Sequence, residues 1–482
     1  MNEKIILVLD CGATNVRTIA VNEFGKILES HSLSNNTRPD PDAKNLVIWD
    51  VFEIWDKFKE TTTAVLSKIN PDDVAGVTVT AFGVDGAPFD KDGNMLHPVI
   101  SWQCSRTEPI MNSIDKYISM DELYQISGVQ PFHFNTINKL IWFRENKPDI
   151  LEKTEAYLFI PSIFTYFLTG ELNIDSSMAG TSMLTELETR SFSDLILDRI
   201  GVSKEIFPDC LEPGELVGRI NQEAQKQTGI PLGTPVIASG HDTQFAVYGS
   251  GAGENIPVLS SGTWEILMVR ARQADSNIKQ LQKGVTNEFD AIPGIYNIGL
   301  QWIASGMLEW VKRMFYSECE MKGNIYEYMI SEASKILPGS DVISIKPDFF
   351  KKPGSVGGVI SGLTMDTTRG QIYRAALESL SYRLKKELKE LEKSGDFKAE
   401  SLIVVGGGSR NSLWNQIRAD VLNLPIKVIE QKETTVLGAA LFALSGVGVY
   451  KSPEEARSVI EYKGEVFEPG TNSSVYQDLI SR

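Results

Sequence analysis

Two short turns in this sequence combine glycine with small polar residues directly after an apolar run. The first is Asp10-Cys11-Gly12-Ala13-Thr14-Asn15, and the second, about 250 residues later, is Ser260-Ser261-Gly262-Thr263. Glycine lets backbone N–H groups approach an anionic oxygen without a Cβ in the way. The two turns therefore predict a pair of phosphate-binding hairpins that face one nucleotide.

A single carboxylate, Asp242, lies between the two turns, just past the apolar run 235–237. Transfer of a phosphoryl group to an alcohol needs a base that accepts the hydroxyl proton, which makes Asp242 the predicted general base. The same residue could instead cap the helix predicted over 243–247, and the two roles are compatible. The neighbouring His241 is either a hydrogen-bond partner of the substrate or a packed neutral histidine.

Asp10 directly follows the apolar run 5–9 and is predicted to hold a hydrated magnesium ion. Magnesium is usually bound by one or two carboxylates together with phosphate oxygens. The alternative is an aspartate that bonds the backbone of its own turn. Arg17 either contacts the nucleotide or, if strand alternation points it outward, is a solvated charge. The turn residues predicted to contact the nucleotide are Gly12, Ala13, Thr14 and Asn15.

Three consecutive glycines, 406–408, follow the apolar run 401–405 and precede a predicted helix. Glycine at the end of a strand that leads into a helix allows close approach of a nucleotide, although tight strand-to-helix turns use the same residues. Asp85 and Arg106 lie in segments that mix aromatic and hydrogen-bonding side chains. Such segments suit a polyhydroxylated substrate, and core packing explains most of the aromatic residues equally well.

Composition narrows the classes of function. The 482 residues exceed what one core normally serves, so two domains are expected. A net charge of -16 argues against nucleic-acid partners and against binding to an anionic membrane. The first residues do not resemble a signal peptide, and the apolar stretch 436–449 is interrupted by glycine and too short to cross a bilayer. A cytoplasmic location is the expectation.

The periodicity predicts an α/β fold in two related halves. The first half has an antiparallel meander over residues 5–33, a polar loop over 34–45, a helix over 49–69, a buried strand over 74–80 and a mainly helical stretch over 121–168. The second half has a hairpin, helices over 302–315 and 369–391, and a strand over 401–405. Glycines at 249–253 mark the junction and serve either as a hinge or for a tight chain crossing.

The order of these motifs resembles the FGGY family of carbohydrate kinases, in the actin and hexokinase superfamily. The resemblance rests on Asp10-x-Gly12-x-Thr14-x-x-Arg17, Gly240-His241-Asp242-Thr243, Ser261-Gly262-Thr263 and the run from Gly406 to Asp420, and it spans nearly the whole chain. Ala13 stands where a hydroxyl residue is common. The resemblance implies two actin/hexokinase-like (ribonuclease H-like) α/β domains with a ligand cleft between them. Residues 1–248 would form the sugar and metal side, and residues 249–482 the nucleotide side.

The same resemblance implies ATP-dependent phosphorylation of a sugar with Mg²⁺, with Asp242 as the base and Asp10 on the metal side. It places Gly262, Thr263, Gly406, Gly407 and Asn411 near ATP, and Gly83, His241, Thr243 and Asn297 near the sugar. L-Fuculose, phosphorylated at its C1 hydroxyl, is the expected substrate. L-Rhamnulose is the alternative, followed by other ketoses or polyols.

A non-enzymatic nucleotide switch of the actin or Hsp70 type is the competing class, because such proteins share the two phosphate hairpins. The segments 82–86 and 240–243 lie where a kinase needs substrate loops, and they favour the enzyme. The chain is expected to act as a monomer or homodimer.

Overall fold

The structure is a computed structural model, and it describes residues 3–317, 324–347 and 357–481. These residues form two compact units. The first comprises residues 1–251, 272–297 and 433–461, and the second comprises 252–271, 298–432 and 462–482. Each unit is therefore discontinuous in sequence, whereas the predicted boundary between residues 248 and 249 divides the chain only once.

The chain begins with five consecutive strands, and helices and strands then follow in mixed order. The strands are β1 Ile5–Cys11, β2 Asn15–Asn22, β3 Ile27–Ser34, β4 Arg38–Asp40, β5 Ala43–Trp49, β6 Val74–Ala81, β7 Gly86–Phe89, β8 Val99–Ile100, β9 Ala156–Phe159, β10 Ile174–Asp175, β11 Cys210–Leu211, β12 Leu216–Arg219, β13 Pro235–Ile237, β14 Val258–Ser261, β15 Trp264–Ala271, β16 Thr286–Phe289, β17 Tyr296–Ile303, β18 Ser344–Lys346, β19 Val359–Ser361, β20 Leu402–Val405, β21 Ile426–Ile429 and β22 Gly464–Phe467.

The α-helices are mostly short, apart from α1, α14 and α16. They are α1 Val51–Leu66, α2 Glu108–Met111, α3 Met120–Ser127, α4 Thr136–Asn146, α5 Pro148–Lys153, α6 Ile160–Thr169, α7 Ser176–Ala179, α8 Asp194–Ile200, α9 Gln222–Thr228, α10 Asp242–Gly249, α11 Ile278–Lys283, α12 Ser305–Phe315, α13 Ile325–Ala333, α14 Arg369–Ser394, α15 Ser412–Leu422, α16 Thr434–Gly446, α17 Pro453–Ser458 and α18 Ser473–Ser481. None of the described helices is long and apolar enough to cross a membrane.

The first unit is built on a six-stranded sheet in the order β12-β13-β6-β1-β2-β3. β1, β6 and β13 run parallel to one another, and β1, β2 and β3 form the antiparallel meander that the sequence predicts. Every residue of β1 is buried, as its nearly continuous apolar run leads one to expect of a central strand. The parallel strands bring the ends of β1, β6 and β13 to the same edge of the sheet, and the candidate site residues follow there.

The second unit repeats the central part of this arrangement. Its sheet contains the order β17-β15-β14-β20-β21-β22, in which β14 and β15 are antiparallel and β14, β20 and β21 are parallel. The hairpin β14–β15 therefore corresponds to β1–β2, and β20 corresponds to β6. This correspondence confirms the predicted fold class of two related α/β domains.

Helix α16 returns the chain to the first unit and is buried along most of its length. It packs closely on α10, because a Cβ at Gly438 would overlap the carbonyl oxygen of Phe245, and one at Gly249 would overlap that of Thr434. Gly249 therefore serves a tight helix crossing within the first unit. An apolar helix at this position explains the hydrophobic stretch at 436–449.

Two local predictions were wrong, and a third was incomplete. The polar segment 34–45 is not simply a loop, because it holds β4 and the start of β5. The predicted helix over 302–315 starts at Ser305, since Trp302 and Ile303 end β17. The mainly helical stretch over 121–168 also contains the buried strand β9. Short apolar runs fit both periods, which explains β9 and the end of β17, whereas β4 is a polar segment that becomes a strand by pairing with β5.

Candidate active site

The turn of the first hairpin joins β1 to β2. The N–H of Gly12 donates to the carbonyl of Asn15 at 2.9 Å, and a Cβ at Gly12 would lie only 3.2 Å from that oxygen. Ala13 packs partly against the core, whereas Thr14 and Asn15 are exposed, with the Asn15 amide donating to the Thr14 hydroxyl at 3.1 Å. The turn thus presents hydroxyl and amide groups at the surface, as a phosphate-binding turn requires.

Asp10 and Arg17 face each other across this hairpin, as register partners on β1 and β2. The Arg17 guanidinium donates to Oδ2 of Asp10, from Nε at 3.0 Å, and to Glu433 from Nη1 at 2.8 Å. Burial, together with the smaller effects of the Asp242 and Glu433 charges, raises the pKa of Asp10 to about 6 despite this ion pair. Arg17 is therefore not the solvated charge that strand alternation suggests; it is the counter-ion of Asp10.

The donor set around Asp10 fits a divalent cation that also binds phosphate. The charges of Asp242 and Glu433 both act on Asp10, and the Arg17 guanidinium binds both Asp10 and Glu433. Among the residues that the structure describes, no cluster of three or more His, Cys, Asp or Glu side chains could hold a metal by itself. A magnesium ion bound here would depend on phosphate oxygens and water as well, which is its usual preference.

Asp242 is the first residue of helix α10, and its neighbour His241 occupies the N-cap position without a side-chain capping bond. Asp242 is therefore not the helix cap that the sequence left open. Its side chain is 31% exposed and accepts a hydrogen bond from the Thr243 hydroxyl at 3.2 Å. Burial raises the pKa of Asp242 to about 6. A half-buried carboxylate of this kind is poised to accept a proton near neutral pH.

The loop that carries Asp242 is anchored from two sides. The carbonyl of Gly240 accepts from the N–H of Ala81 at 3.0 Å and from the hydroxyl of Thr80 at 2.9 Å. On the other side the N–H of His241 donates to the hydroxyl of Ser177 at 2.9 Å. The ends of β6 and α7 thus hold the loop in place.

Asp175 completes this anchor, and it was not among the residues predicted from the sequence. Its Oδ1 accepts from the Ser177 hydroxyl at 2.6 Å and from the N–H of Met178 at 2.8 Å, while Oδ2 has no hydrogen-bond partner among the described residues. Burial raises its pKa to about 7. A Cβ at Gly240 would overlap this carboxylate, so only glycine fits between Asp175 and the Asp242 loop. From the sequence, an acidic residue at the start of a helix is interpreted as a cap. Only the fold shows that Asp175 also contacts the loop that carries Asp242.

The structure brings four predicted sugar-binding residues close to Asp242 or to one another. Nε2 of His241 lies 3.5 Å from Oδ1 of Asp242, and a Cβ at Gly83 would lie 2.8 Å from the same nitrogen. Thr243 bonds Asp242 directly, and the amide of Asn297 donates to the side-chain oxygen of Gln244, one helical turn past His241. Gln244 itself is fully buried and was not predicted.

Asp85 and Arg106 occupy structural positions in this unit. Asp85 has no exposed surface and accepts from Trp49 Nε1 at 2.7 Å, from the N–H of Trp102 at 2.9 Å and from Lys139. Arg106 is buried in an ion pair with Asp40. Because protein groups already bind both side chains, this geometry gives no support to a direct sugar contact by either.

In the second unit, the hairpin β14–β15 carries the other predicted phosphate loop. The N–H of Gly262 donates to the carbonyl of Trp264 at 3.0 Å, and Thr263 is exposed. The carbonyl of Thr263 accepts from the N–H groups of Ala304 and Gly306 at 3.1 and 3.3 Å. The start of α12 therefore holds Thr263 at the surface.

The same hairpin also contains a buried acid that the sequence pattern did not single out. Glu265 is 1% exposed and binds Arg418 of α15, the Ser261 hydroxyl at 3.1 Å and Trp302 Nε1 at 2.9 Å. Burial raises the pKa of Glu265, against the effect of the Arg418 charge. With its oxygens bound inside the unit, Glu265 holds the hairpin to its helix and is not available to a ligand.

The glycine run after β20 approaches the second hairpin. A Cβ at Gly406, where φ is +87°, would lie 2.8 Å from the carbonyl oxygen of Ser261, whereas Gly407 has no neighbour within 4 Å. Asn411 caps α15 by accepting from the N–H of Trp414 at 3.1 Å, and its amide donates to the Tyr373 hydroxyl at 3.1 Å. Gly406 thus serves the turn, and Gly407 leaves open space.

A cavity of about 710 Å³ lies in the second unit beside these loops. Its lining includes every predicted nucleotide residue of this unit except Gly406, and it also includes residues of α12 and α13 that were not predicted. The residues that line the cavity are Gly262, Thr263, Gly407, Asn411, Ser305, Leu308, Glu309, Tyr326, Met329, Ile330, Tyr373, Trp414, Asn324, Glu327, Gly408 and Arg410. Its size and mixed lining suit a nucleoside.

Comparison with known proteins agrees with this geometry. Residues 5–249 match the model of the N-terminal domain of the FGGY family of carbohydrate kinases, and residues 258–447 match the model of its C-terminal domain. The chain belongs to the FGGY family of carbohydrate kinases. The resemblance noted in the sequence motifs is thereby confirmed, and so is the enzyme class over a non-enzymatic switch.

Within the FGGY family, relatives differ widely in similarity to this chain. An L-fuculokinase from Escherichia coli (strain K12) is 46% identical over 479 residues, which cover 99% of this chain and 100% of the relative. A rhamnulokinase from Bacteroides thetaiotaomicron is 28% identical over 450 residues, covering 91% and 90%. Among solved structures, the xylulose kinase from Rhodospirillum rubrum has a TM-score of 0.89 at 20% identity, covering 99% and 97%, and supports the fold alone.

Proposed function

We propose that this FGGY kinase transfers the γ-phosphoryl group of ATP to the C1 hydroxyl of L-fuculose, giving L-fuculose 1-phosphate and ADP. Full-length similarity to an L-fuculokinase supports the choice of sugar. The observation that supports the chemistry is the half-buried carboxylate of Asp242, which begins a helix, has a raised pKa and lies beside His241, Thr243 and Gly83.

In the proposed step, Asp242 accepts the proton of the C1 hydroxyl as the hydroxyl oxygen forms a bond to the γ-phosphorus. The bond between that phosphorus and the β–γ bridging oxygen breaks, and ADP leaves with the bonding electrons. Because the transition state is loose, positioning of the two oxygens matters more than the strength of the base. The anchors at Gly240 and His241 supply that positioning.

ATP is proposed to contact both glycine hairpins and the loop after β20. Gly12, Ala13, Thr14 and Asn15 would meet phosphate groups in the first unit, with Arg17 holding Asp10 in place. Gly262, Thr263, Gly407 and Asn411 border the cavity proposed to take the nucleoside, and Gly406 shapes the turn beside them. Magnesium would be held by Asp10 and phosphate oxygens and would offset charge on the phosphates.

Steady-state assays with a panel of sugars test this proposal directly. ADP release would be followed with ATP and magnesium in the presence of L-fuculose, L-rhamnulose, L-xylulose, D-ribulose or glycerol, and the product would be identified by phosphorus NMR. We expect the highest kcat/KM with L-fuculose and a primary phosphate ester at C1. A higher value with L-rhamnulose would reassign the substrate, and ADP release that ignores every sugar would overturn the kinase proposal.

Replacement of Asp242 by asparagine tests the general base. We expect Asp242→Asn to lower kcat by about 10² to 10⁴, because the shape of the side chain is kept while its proton acceptor is lost. ATP affinity, measured by calorimetry, should stay within a few fold. Asp92→Asn, an equivalent change in the exposed turn after β7, is the control and should behave as wild type. A variant that retains a tenth of the wild-type rate would exclude Asp242 as the base.

We further propose that the protein acts in the cytoplasm on a small-molecule substrate, without nucleic-acid or membrane partners, as a monomer or homodimer. The strongly negative net charge supports the exclusion of anionic polymers. Light scattering coupled to size exclusion would give the oligomeric state, and cell fractionation the location.

A further inference from the structure

A buried polar cluster lies next to the loop that carries Asp242, within the first unit. It consists of His241, Gln244, Glu288 and Asn297. Gln244 and Asn297 have no exposed surface, and the side chains of His241 and Glu288 are only 13% and 14% exposed. Buried polar side chains are retained where they are hydrogen-bonded to one another and fix a unique arrangement. Neither the family motifs nor the sequence pattern pointed to Gln244 or Glu288.

The amide of Gln244 is held at both ends. Its Nε2 donates to Oε2 of Glu288 at 2.6 Å, and its Oε1 accepts from Nδ2 of Asn297. A carboxylate accepts hydrogen bonds and an amide nitrogen donates them, so Glu288 requires the nitrogen end of Gln244 to face it. Asn297 presents a donor to the oxygen end. The two partners therefore prevent Gln244 from rotating by half a turn.

This fixed amide determines which ring nitrogen of His241 carries the proton. Nε2 of Gln244 also lies 3.3 Å from Nδ1 of His241. An amide nitrogen donates hydrogen bonds and does not accept them, so it can bond Nδ1 of a neutral imidazole only if Nδ1 carries no proton. Oε2 of Glu288 also faces Nδ1, but at 3.7 Å it lies beyond hydrogen-bond distance, so Nδ1 accepts from Gln244 and the single ring proton is on Nε2. Burial lowers the pKa of His241, in keeping with a neutral ring.

Nε2 of His241 is the nitrogen that faces the reaction. It lies 3.5 Å from Oδ1 of Asp242, and it is the atom that a side chain at Gly83 would meet first. A proton on Nε2 provides an N–H donor for the base or for a sugar oxygen beside it. A proton on Nδ1 would instead turn a lone pair towards the carboxylate, which is electrostatically unfavourable.

We propose that Glu288, acting through Gln244 with support from Asn297, is a positioning residue that fixes His241 as the Nε2–H tautomer and so sets a hydrogen-bond donor beside Asp242. The inference rests on the proposed roles of Asp242 and His241 in phosphorylating the sugar. Glu288 has no chemical part in the transfer. It orients the Gln244 amide by hydrogen bonding, and its charge also acts on the His241 ring directly, from 3.7 Å.

The tautomer can be measured without any assay of activity. The chain has four histidines, so a nitrogen-15 NMR spectrum of the histidine-labelled full-length protein contains four ring patterns, and His241→Gln identifies the one from His241. We expect wild-type His241 to show a protonated Nε2 and a bare Nδ1. The opposite pattern in the wild-type protein would overturn the proposal, whatever the variants do.

Glu288→Gln then tests the cause. A glutamine can donate as well as accept, so Gln244 loses its fixed orientation, and the His241 spectrum should show the Nδ1–H tautomer or a mixture. We expect kcat/KM for L-fuculose to fall about tenfold or more, with KM for ATP unchanged. An unchanged His241 pattern in folded Glu288→Gln would refute the role of Glu288, even if turnover were lost.

Two further variants separate positioning from stability. Gln244→Leu removes both ends of the amide and should give the same spectrum and the same selective loss as Glu288→Gln. Glu53→Gln removes a carboxylate that pairs with Arg38 and Lys57 in the same unit, outside the cluster, and should leave the His241 pattern and kcat/KM unchanged. If wild-type protein failed to phosphorylate any sugar but showed the expected tautomer, the proposed function would fail while the inference about the cluster survived.

Discussion

In the hairpin of the first unit, Asp10 pairs with Arg17 from the facing strand, whereas in the hairpin of the second unit Glu265 pairs with Arg418 from helix α15. The first pair is partly open, since the Arg17 side chain is 27% exposed. The second is closed, with 0% and 1% exposure.

This difference separates two uses of an acid in the same structural motif. The Asp10 side chain is only 7% exposed, but it lies near the charges of Asp242 and Glu433, and its partner Arg17 is partly open to solvent. Glu265 is bound by a guanidinium, an indole and a hydroxyl inside the unit and has a structural role. The turn 260–263 has hydroxyl groups and no acid, and the acid that follows it, Glu265, is buried.

The largest effect is expected from Glu265→Gln. This change leaves Arg418 buried without its counter-charge, which should lower the free energy of unfolding by about 3 to 5 kcal/mol. Urea denaturation measures the loss, and the double variant Glu265→Gln/Arg418→Met should recover part of it. A loss below about 1 kcal/mol would mean that the second hairpin does not depend on its acid.

Asp10→Asn should have the opposite profile. The amide oxygen can still accept from Arg17, which also keeps Glu433, so we expect stability to change by less than about 1 kcal/mol. kcat should fall about a hundredfold as charge stabilisation of roughly 3 kcal/mol is lost. Kinetics over a range of magnesium concentrations would check this. A normal kcat would remove Asp10 from the metal site and weaken the contrast between the hairpins.

Acid should inactivate the first unit without unfolding it. Asp10 and Asp242 are proposed to act as carboxylates and have pKa values of about 6, so kcat/KM for the sugar should fall about tenfold per pH unit or more below pH 6. Both pKa values are raised in the folded state, so proton binding favours folding, and this contribution to stability grows as the pH falls from 6 towards 4. Activity and urea midpoints measured between pH 5 and 8 should therefore diverge. A parallel fall of both would assign the acid limb to unfolding.

The smallest effect separates the two glycines of the second unit. Gly407→Ala meets no neighbouring atom, so the fold should be unchanged while the dissociation constant for ATP rises about tenfold through the added methyl group. Gly406→Ala is the contrast, because its positive φ and the nearby Ser261 carbonyl should lower the free energy of unfolding by about 1 to 3 kcal/mol. Calorimetric titration with ATP checks the first change and urea denaturation the second. Wild-type affinity in Gly407→Ala would take this glycine out of the nucleotide site.

Local pattern was sufficient to predict that several candidate residues lie at strand ends. Asp10, Asp242 and the glycine loops each come directly after an apolar run, and strand ends are where α/β folds place their ligands. The apolar runs also predicted several strands near their observed bounds, namely β1, β2, β6, β14, β15 and β20. Helix and strand were confused only where an apolar run was short, as at β9 and the end of β17.

What the sequence could not provide were contacts made over long separations. Asp175 supports a loop about 65 residues further on, and Glu288 accepts a hydrogen bond from the Gln244 amide. Glu433, directly before the returning helix α16, pairs with Arg17. Asp85 and Arg106, whose sugar contacts stay predictions, show the converse case. Their types suited a sugar, but burial against Lys139 and Asp40 assigned them to the protein interior.

The sequence by itself determined the family, the duplicated hairpins and the single carboxylate at Asp242, because each depends on residues that are adjacent in the chain. Only the tertiary structure decided which charged residues are paired, how the chain is divided between the two units and which buried groups support the loop that carries Asp242. Those properties depend on what displaces water around a side chain, and that is determined by segments far apart in sequence.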